Sequence, residues 1–144
     1  MAGVLLDSSV YIRALRNDDE EILNLRSFED EGGHLPIWLS AVVLQELYAG
    51  ATQTRTQKLF RKVENNFRSV NRLIVPSLSD WIDAGDILCQ LGKKLGFEQV
   101  GKSRISNDAL IAMGARSNGL TLLTVNEKDF ARIAGIRTFR WQVV

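Results

Sequence analysis

Apolar residues recur along this chain at two different periods. Leu59, Phe60, Val63, Phe67 and Val70 fall three and four apart, as do Ala84, Ile87, Leu88, Leu91 and Leu95. That spacing gathers each set on one helical face, so both segments predict amphipathic helices packed on a core. "LSAVVLQELYAG" predicts a third helix, with Ser40 placed to cap its start and Gly50 to end it. "SNDALIAMGARSNG" predicts a fourth, capped by Ser106 or Asn107, with Asp108 in the first turn and Gly119 as the stop.

Between the helices lie "GVLL", "HLPIW", "LIVP", "LTLLTV" and "GIRTFRW". These runs have the length of strands, and most are too uniformly apolar for a sheet with one wet face. Strands alternating with helices predict an α/β fold in which a central parallel β-sheet is flanked by helices on both sides. Pro36 and Pro76 fit edge positions or strand ends. The 144 residues have the length of one domain and show no linker, repeat or low-complexity tract, so residues 1–144 read as a single unit.

Composition then narrows the chemistry. With 45% hydrophobic and 24% charged residues the chain reads as a soluble globular domain. No apolar run approaches bilayer length. "MAGVLL" lacks a basic leader and is interrupted at once by Asp7, so the expected location is cytoplasmic, with no membrane partner. Cys89 is the only cysteine, which excludes an internal disulfide and a multi-thiolate zinc site; in "DILCQL" it reads as a buried thiol. A Ser/His/Asp or Cys/His triad would have to use the single histidine, His34, whose setting in "GGHLPIW" reads as a strand start. The net charge of +1 argues against global basicity, but the charges are unevenly spread. Asp18, Asp19, Glu20, Glu21, Glu29, Asp30 and Glu31 face only Arg26, whereas Arg55, Lys58, Arg61, Lys62, Arg68 and Arg72 face only Glu64. Two solvated helix faces explain this pattern, and a basic face can also meet phosphates.

Four carboxylates stand out by their surroundings. Asp7 directly follows an apolar strand, Glu46 is embedded in "AVVLQELYAG", Asp108 opens the apolar "ALIAMGA" and Asp129 lies in "TVNEKDF". A carboxylate among apolar residues is costly unless it is paired or metal-bound. Each alone has a structural excuse, such as a helix N-terminus for Asp108. Together they suggest convergence, because ligands of open parallel sheets bind beyond the carboxyl ends of the strands, where Asp7 and Thr124 to Asn126 both fall. Converging carboxylates repel one another, and a hard divalent cation relieves that repulsion through oxygen ligands.

"VLLDSSVYI", then "SAVVLQELYAG", then "SNDALIAMGARSNGLTLLTVNEKDF" resemble, in that order, a PIN-domain ribonuclease of the VapC type, the toxin of type II toxin–antitoxin pairs. The resemblance implies that Asp7 and Asp108 are direct metal ligands and that Glu46 acts directly or through a bound water. Many PIN domains carry an aspartate where this chain has Asn126, so Asp129 takes the fourth acidic role and Asn126 a hydrogen-bonding one. Ser9 and Thr124 match small hydroxyl positions that support the cluster. The implied reaction is Mg²⁺- or Mn²⁺-dependent hydrolysis of RNA by a metal-activated water, leaving 5′-phosphate and 3′-hydroxyl ends without a protein nucleophile. Arg13, Arg55, Lys102 and Arg104 are the candidates for holding the RNA strand. Family likeness further implies a homodimer, a small cognate antitoxin and a target of the transfer or ribosomal RNA class. Trp38, Trp81 and Trp141 are expected in the core or at an interface rather than stacked on bases. Two competing readings are a PIN fold that only binds RNA or protein, and a phosphoacceptor receiver domain. "GIRTFRW" lacks the lysine that the receiver domain needs.

Overall fold

The structure, a computed structural model, describes residues 3–19, 27–30, 33–102 and 104–144. Six strands and seven helices follow one another in the described chain. They are β1 (Val4–Leu6), α1 (Ser8–Arg16), β2 (Ser27–Asp30), β3 (Gly33–Ser40), α2 (Ala41–Gly50), α3 (Thr54–Ser69) and β4 (Leu73–Ile74). Then come α4 (Leu78–Leu95), α5 (Phe97–Lys102), α6 (Ile105–Ser117), β5 (Thr121–Thr124), α7 (Glu127–Ala134) and β6 (Trp141–Val143).

The strand order is β2-β3-β1-β5-β6, and β4 pairs with the last residues of β3. All pairings are parallel except the antiparallel ribbon of β2 with the first half of β3. Five strands therefore form the expected parallel sheet. Val4, Leu5 and Leu6 are all buried, as are Leu122, Leu123 and Thr124. Because successive strand residues point to opposite faces, burial of every one means that helices cover both faces of the sheet. The register Leu6↔Leu123 brings the carboxyl ends of β1 and β5 level.

The amphipathic stripes pack as their spacing predicts, with Phe60, Val63 and Phe67 buried on α3 and Ala84, Ile87 and Leu91 on α4. Ser40 Oγ accepts the Val42 N–H at 3.1 Å and so caps α2. Gly119, with φ +67°, lies just past α6 in the left-handed conformation that glycine tolerates.

Several details differ from the expectation. The start of α6 lies at Ile105 with Arg104 in the cap position, because the Asn107 and Asp108 N–H groups already donate to the Arg104 carbonyl. Ser106 and Asn107 are therefore inside the first turn rather than caps. Cys89 is exposed, not buried. It stands two residues after Ile87, which on a helix is the opposite side from the buried stripe. Trp81 is 59% exposed and does not belong to the core, whereas Trp38 and Trp141 pack partly against it. Only Trp141 of "GIRTFRW" enters a strand. Pro36 lies inside β3, where pairing passes from Ser27 of β2 to Val4 of β1, and Pro76 lies two residues beyond β4. Glu20, Glu21, Arg26 and Glu31 of the acidic segment lie outside the described residues.

Candidate active site

The parallel pairing of β1 with β5 sets the first carboxylate. Asp7 leaves β1 in an extended conformation, its N–H bonded to the Leu123 carbonyl at 2.9 Å, and occupies the cap position of α1. Its side chain caps nothing. Instead Oδ2 accepts from Ser9 Oγ at 2.8 Å and from Thr124 Oγ1 at 3.0 Å, while Oδ1 is buried without a hydrogen-bond partner. Ser9 Oγ also accepts the Val125 N–H at 3.1 Å, and Thr124 Oγ1 accepts the Asn126 N–H at 2.9 Å. Two hydroxyls thus fix the carboxylate and the turn from β5 to α7 together.

The other acidic residues come from three helices. Glu46 lies on α2 between the buried Val43 and Leu47, and its Oε1 accepts from Ser8 Oγ at 3.1 Å. Asp108 is buried in the first turn of α6, where every residue from Asp108 to Ala115 is buried, and its Oδ2 has no partner. Asp129 lies in the first turn of α7; its Oδ2 accepts from Asn126 Nδ2 at 3.3 Å, and its Oδ1 is 3.8 Å from Arg132. All four carboxylates line one cavity of about 540 Å³, together with Ser9, Asn126, Arg13 and Arg104.

The electrostatics of this cavity are those of a cluster short of positive charge. Burial, and then the charges of Asp7, Glu46 and Asp129, push the Asp108 carboxyl up to about 8, with Arg104 opposing. Glu46 is raised by burial and by Asp7, against hydrogen bonds from Ser8 and Asn107 and the charge of Arg104. Among the described residues no three acidic side chains close into a ready-made metal cage. The donor set nevertheless suits a hard cation. Every donor is oxygen, and Asp7 and Asp108 each keep a buried, unpartnered carboxylate oxygen. One or two carboxylates with several retained waters is the usual way Mg²⁺ is bound.

Of the residues chosen from the sequence, Thr124 stands directly behind the cavity through its bond to Asp7. Arg13 lines the cavity and donates to the Val144 carbonyl at 2.9 Å. Arg55 does not reach it and lines a separate cleft. Lys102 ends α5, and its side chain lies outside the described residues. Ser8, Asn107, Arg16 and Asn17 were not anticipated in these positions. The signal for α1 is present in the spacing: Ser9, Ile12, Arg13 and Arg16 fall at i, i+3, i+4 and i+7 and all line the cavity.

Comparison with known proteins bears on the fold and the family. Over 141 residues the chain is 28% identical to Ribonuclease VapC2 of Haemophilus influenzae, covering 98% of this chain and 99% of that protein. It is 27% identical to the tRNA(fMet)-specific endonuclease VapC of Shigella flexneri, with the same coverage of 98% and 99%. The fold superposes on the structure of VapBC-1 from nontypeable Haemophilus influenzae with a TM-score of 0.64 and 25% identity, covering 99% of this chain and 98% of that one. The profile of the PIN domain matches residues 4–136. Because that match runs from β1 through α7 and takes in every carboxylate of the cavity, the chain belongs to the PIN domain family.

Proposed function

We propose that the protein is a Mg²⁺- or Mn²⁺-dependent endoribonuclease that acts as the VapC-like toxin of a toxin–antitoxin pair. The observation that carries this reading is the sharing of one cavity by Asp7 and Asp108, buried carboxylates from distant parts of the chain that each retain an unpartnered oxygen. The named ribonuclease and tRNA endonuclease relatives support a nuclease acting on RNA, with transfer RNA as one candidate class, and VapBC-1 supports an antitoxin partner.

Asp7 and Asp108 would hold the cation, with Glu46 acting directly or through water. When bound, the ion supplies charge to the phosphate oxygens and lowers the pKa of a water. Ser9 and Thr124 hold Asp7 Oδ2 and leave Oδ1 for ligation. Ser8 turns Glu46 inward, and Asn126 orients Asp129, which takes the fourth acidic role. The cavity hydroxyls are all engaged with carboxylates, and His34 lies on β3 away from the cavity lining, so the nucleophile is water. Arg13 and Arg104 at the rim hold the strand, since the acidic cavity itself repels a polyanion. The exposed Leu78, Trp81 and Ile82 at the start of α4 support a homodimer. A cytoplasmic location belongs to the same reading.

The test is cleavage of bulk tRNA and rRNA in Mg²⁺, in Mn²⁺ and in EDTA. Cleavage is expected with either metal and not in EDTA, with 5′-phosphate on the products. Asp7→Asn and Asp108→Asn should each lower the rate by about 100-fold or more, with the circular dichroism spectrum unchanged. Equal cleavage by wild type and Asp7→Asn would remove the assigned site. The neutral Asn126 favours one alternative, a PIN fold that only binds RNA or protein. Wild-type protein that binds RNA but leaves it intact in both metals would select that alternative.

A further inference from the structure

Arg55, Lys58 and Lys62 lie three and four residues apart on α3 and therefore share one helical face. All three are exposed, and among the described residues none of them is in an ion pair. Among the described residues, they line a cleft of about 480 Å³ whose other wall is the end of α1, with Leu15 and a single carboxylate, Asp18. The same helix borders the acidic cavity through Arg13, Arg16 and Asn17. One helix, about 10 Å across, thus separates a pocket that repels RNA from a cleft that attracts it.

We propose that this cleft binds phosphates of the RNA strand flanking the bond cut in the acidic cavity; the inference rests on the nuclease reading above. A strand leaving the cavity over the end of α1 meets, among the described residues, three cations outside any ion pair against one carboxylate. That placement supplies the charge attraction that a carboxylate-lined cavity lacks. Among the described residues the cleft has no aromatic side chain, the kind of anchor with which a protein segment is usually gripped.

The test compares two double variants with the same loss of charge. Lys58→Ala/Lys62→Ala alters the cleft, and Lys93→Ala/Lys94→Ala alters exposed positions in the last turn of α4. A fluorescein-labelled single-stranded RNA of mixed sequence is titrated in EDTA over a range of salt, and cleavage of bulk tRNA is followed in Mg²⁺. The cleft variant should bind about 10-fold more weakly, and its slope of log affinity against log salt should shrink by about 1.4, the value for two lost phosphate contacts. Its cleavage defect should fall on KM, and the α4 variant should match wild type in each assay. Equal RNA affinities for the two double variants, or no RNA binding by wild type, would overturn the proposal. Binding that depends on the cleft without any cleavage would sink the nuclease reading and leave the cleft assignment standing. If the cleft variant lost affinity for a glutamate-rich peptide but not for RNA, the cleft would belong to an acidic protein partner and the proposal would fall.

Discussion

Asp108 is held where a carboxylate is costly, inside an apolar helix with three other acidic residues lining the same cavity. Its carboxyl is raised to about 8, well above the unfolded value of about 4. A group raised in this way lends stability that is complete below the unfolded pKa and is lost as pH rises through the folded one. In EDTA the protein should therefore lose stability between about pH 4 and pH 8, and the raised Glu46 acts in the same direction. Asp108→Asn removes the larger penalty, so in thermal melts near pH 8 it should be more stable than wild type, by on the order of a few kcal/mol. The gap should close toward pH 4 and narrow when Mg²⁺ is added. Parallel pH profiles for the two proteins would rule the assignment out. At this scale the sequence is informative, because Asp7 and Asp108 each border an apolar run and Glu46 interrupts one. It does not separate Ser8 from Ser9. Their side chains leave α1 about 100° apart, so one reaches Glu46 and the other Asp7.

Among the elements, the starts of α1, α2, α4, α6 and α7 divide by task. At α2 and α4 serine caps close the first turn; at α4, Ser77 Oγ accepts the Asp80 N–H at 3.2 Å and Asp80 Oδ2 accepts the Ser77 N–H at 2.9 Å. The helices α1, α6 and α7 begin at the cavity and have no side-chain cap. Their positive ends instead favour the negative charge of Asp7, Asp108 and Asp129. Ser77→Ala should cost about 1 kcal/mol in denaturant unfolding and leave RNA cleavage unchanged, because it breaks a capping box outside the cavity. A change in cleavage rate with stability preserved would contradict that division. The long apolar stripes of α3 and α4 are readable because periodicity survives any context. The helix α1, absent from the sequence expectation, carries the same kind of signal, since Val10, Tyr11 and Ala14 bury one side while the other side carries the polar residues of the site. The strand β2 has one apolar residue in "SFED" and owes its form to pairing with β3.

For the whole molecule, strand order decides where the chemistry is gathered. With β1 between β3 and β5, Asp7 emerges at the middle of the sheet's carboxyl edge, and α2, α6 and α7 bring their carboxylates to that point. On another surface Val75, Leu78, Trp81 and Ile82 are exposed by 75%, 77%, 59% and 62%. A cluster of large apolar side chains left open to water marks an interaction surface. Under the proposed homodimer, wild type should sediment as a dimer and Trp81→Glu/Ile82→Glu as a monomer of unchanged thermal stability. A monomeric wild type at micromolar concentration would exclude it. Among the described residues, no helix is long and apolar enough to cross a membrane.

From sequence alone came the element types with strong periodicity, the parallel α/β class and the four carboxylates, because burial of apolar side chains and the cost of burying charge leave a pattern in one dimension. Only the tertiary structure decided that Ser8 serves Glu46, that Arg55 belongs to a separate cleft, and that Trp81 faces outward. Those outcomes depend on helix phase and on which surfaces meet. Neighbours far apart in the chain set both, and no local run of residues encodes them.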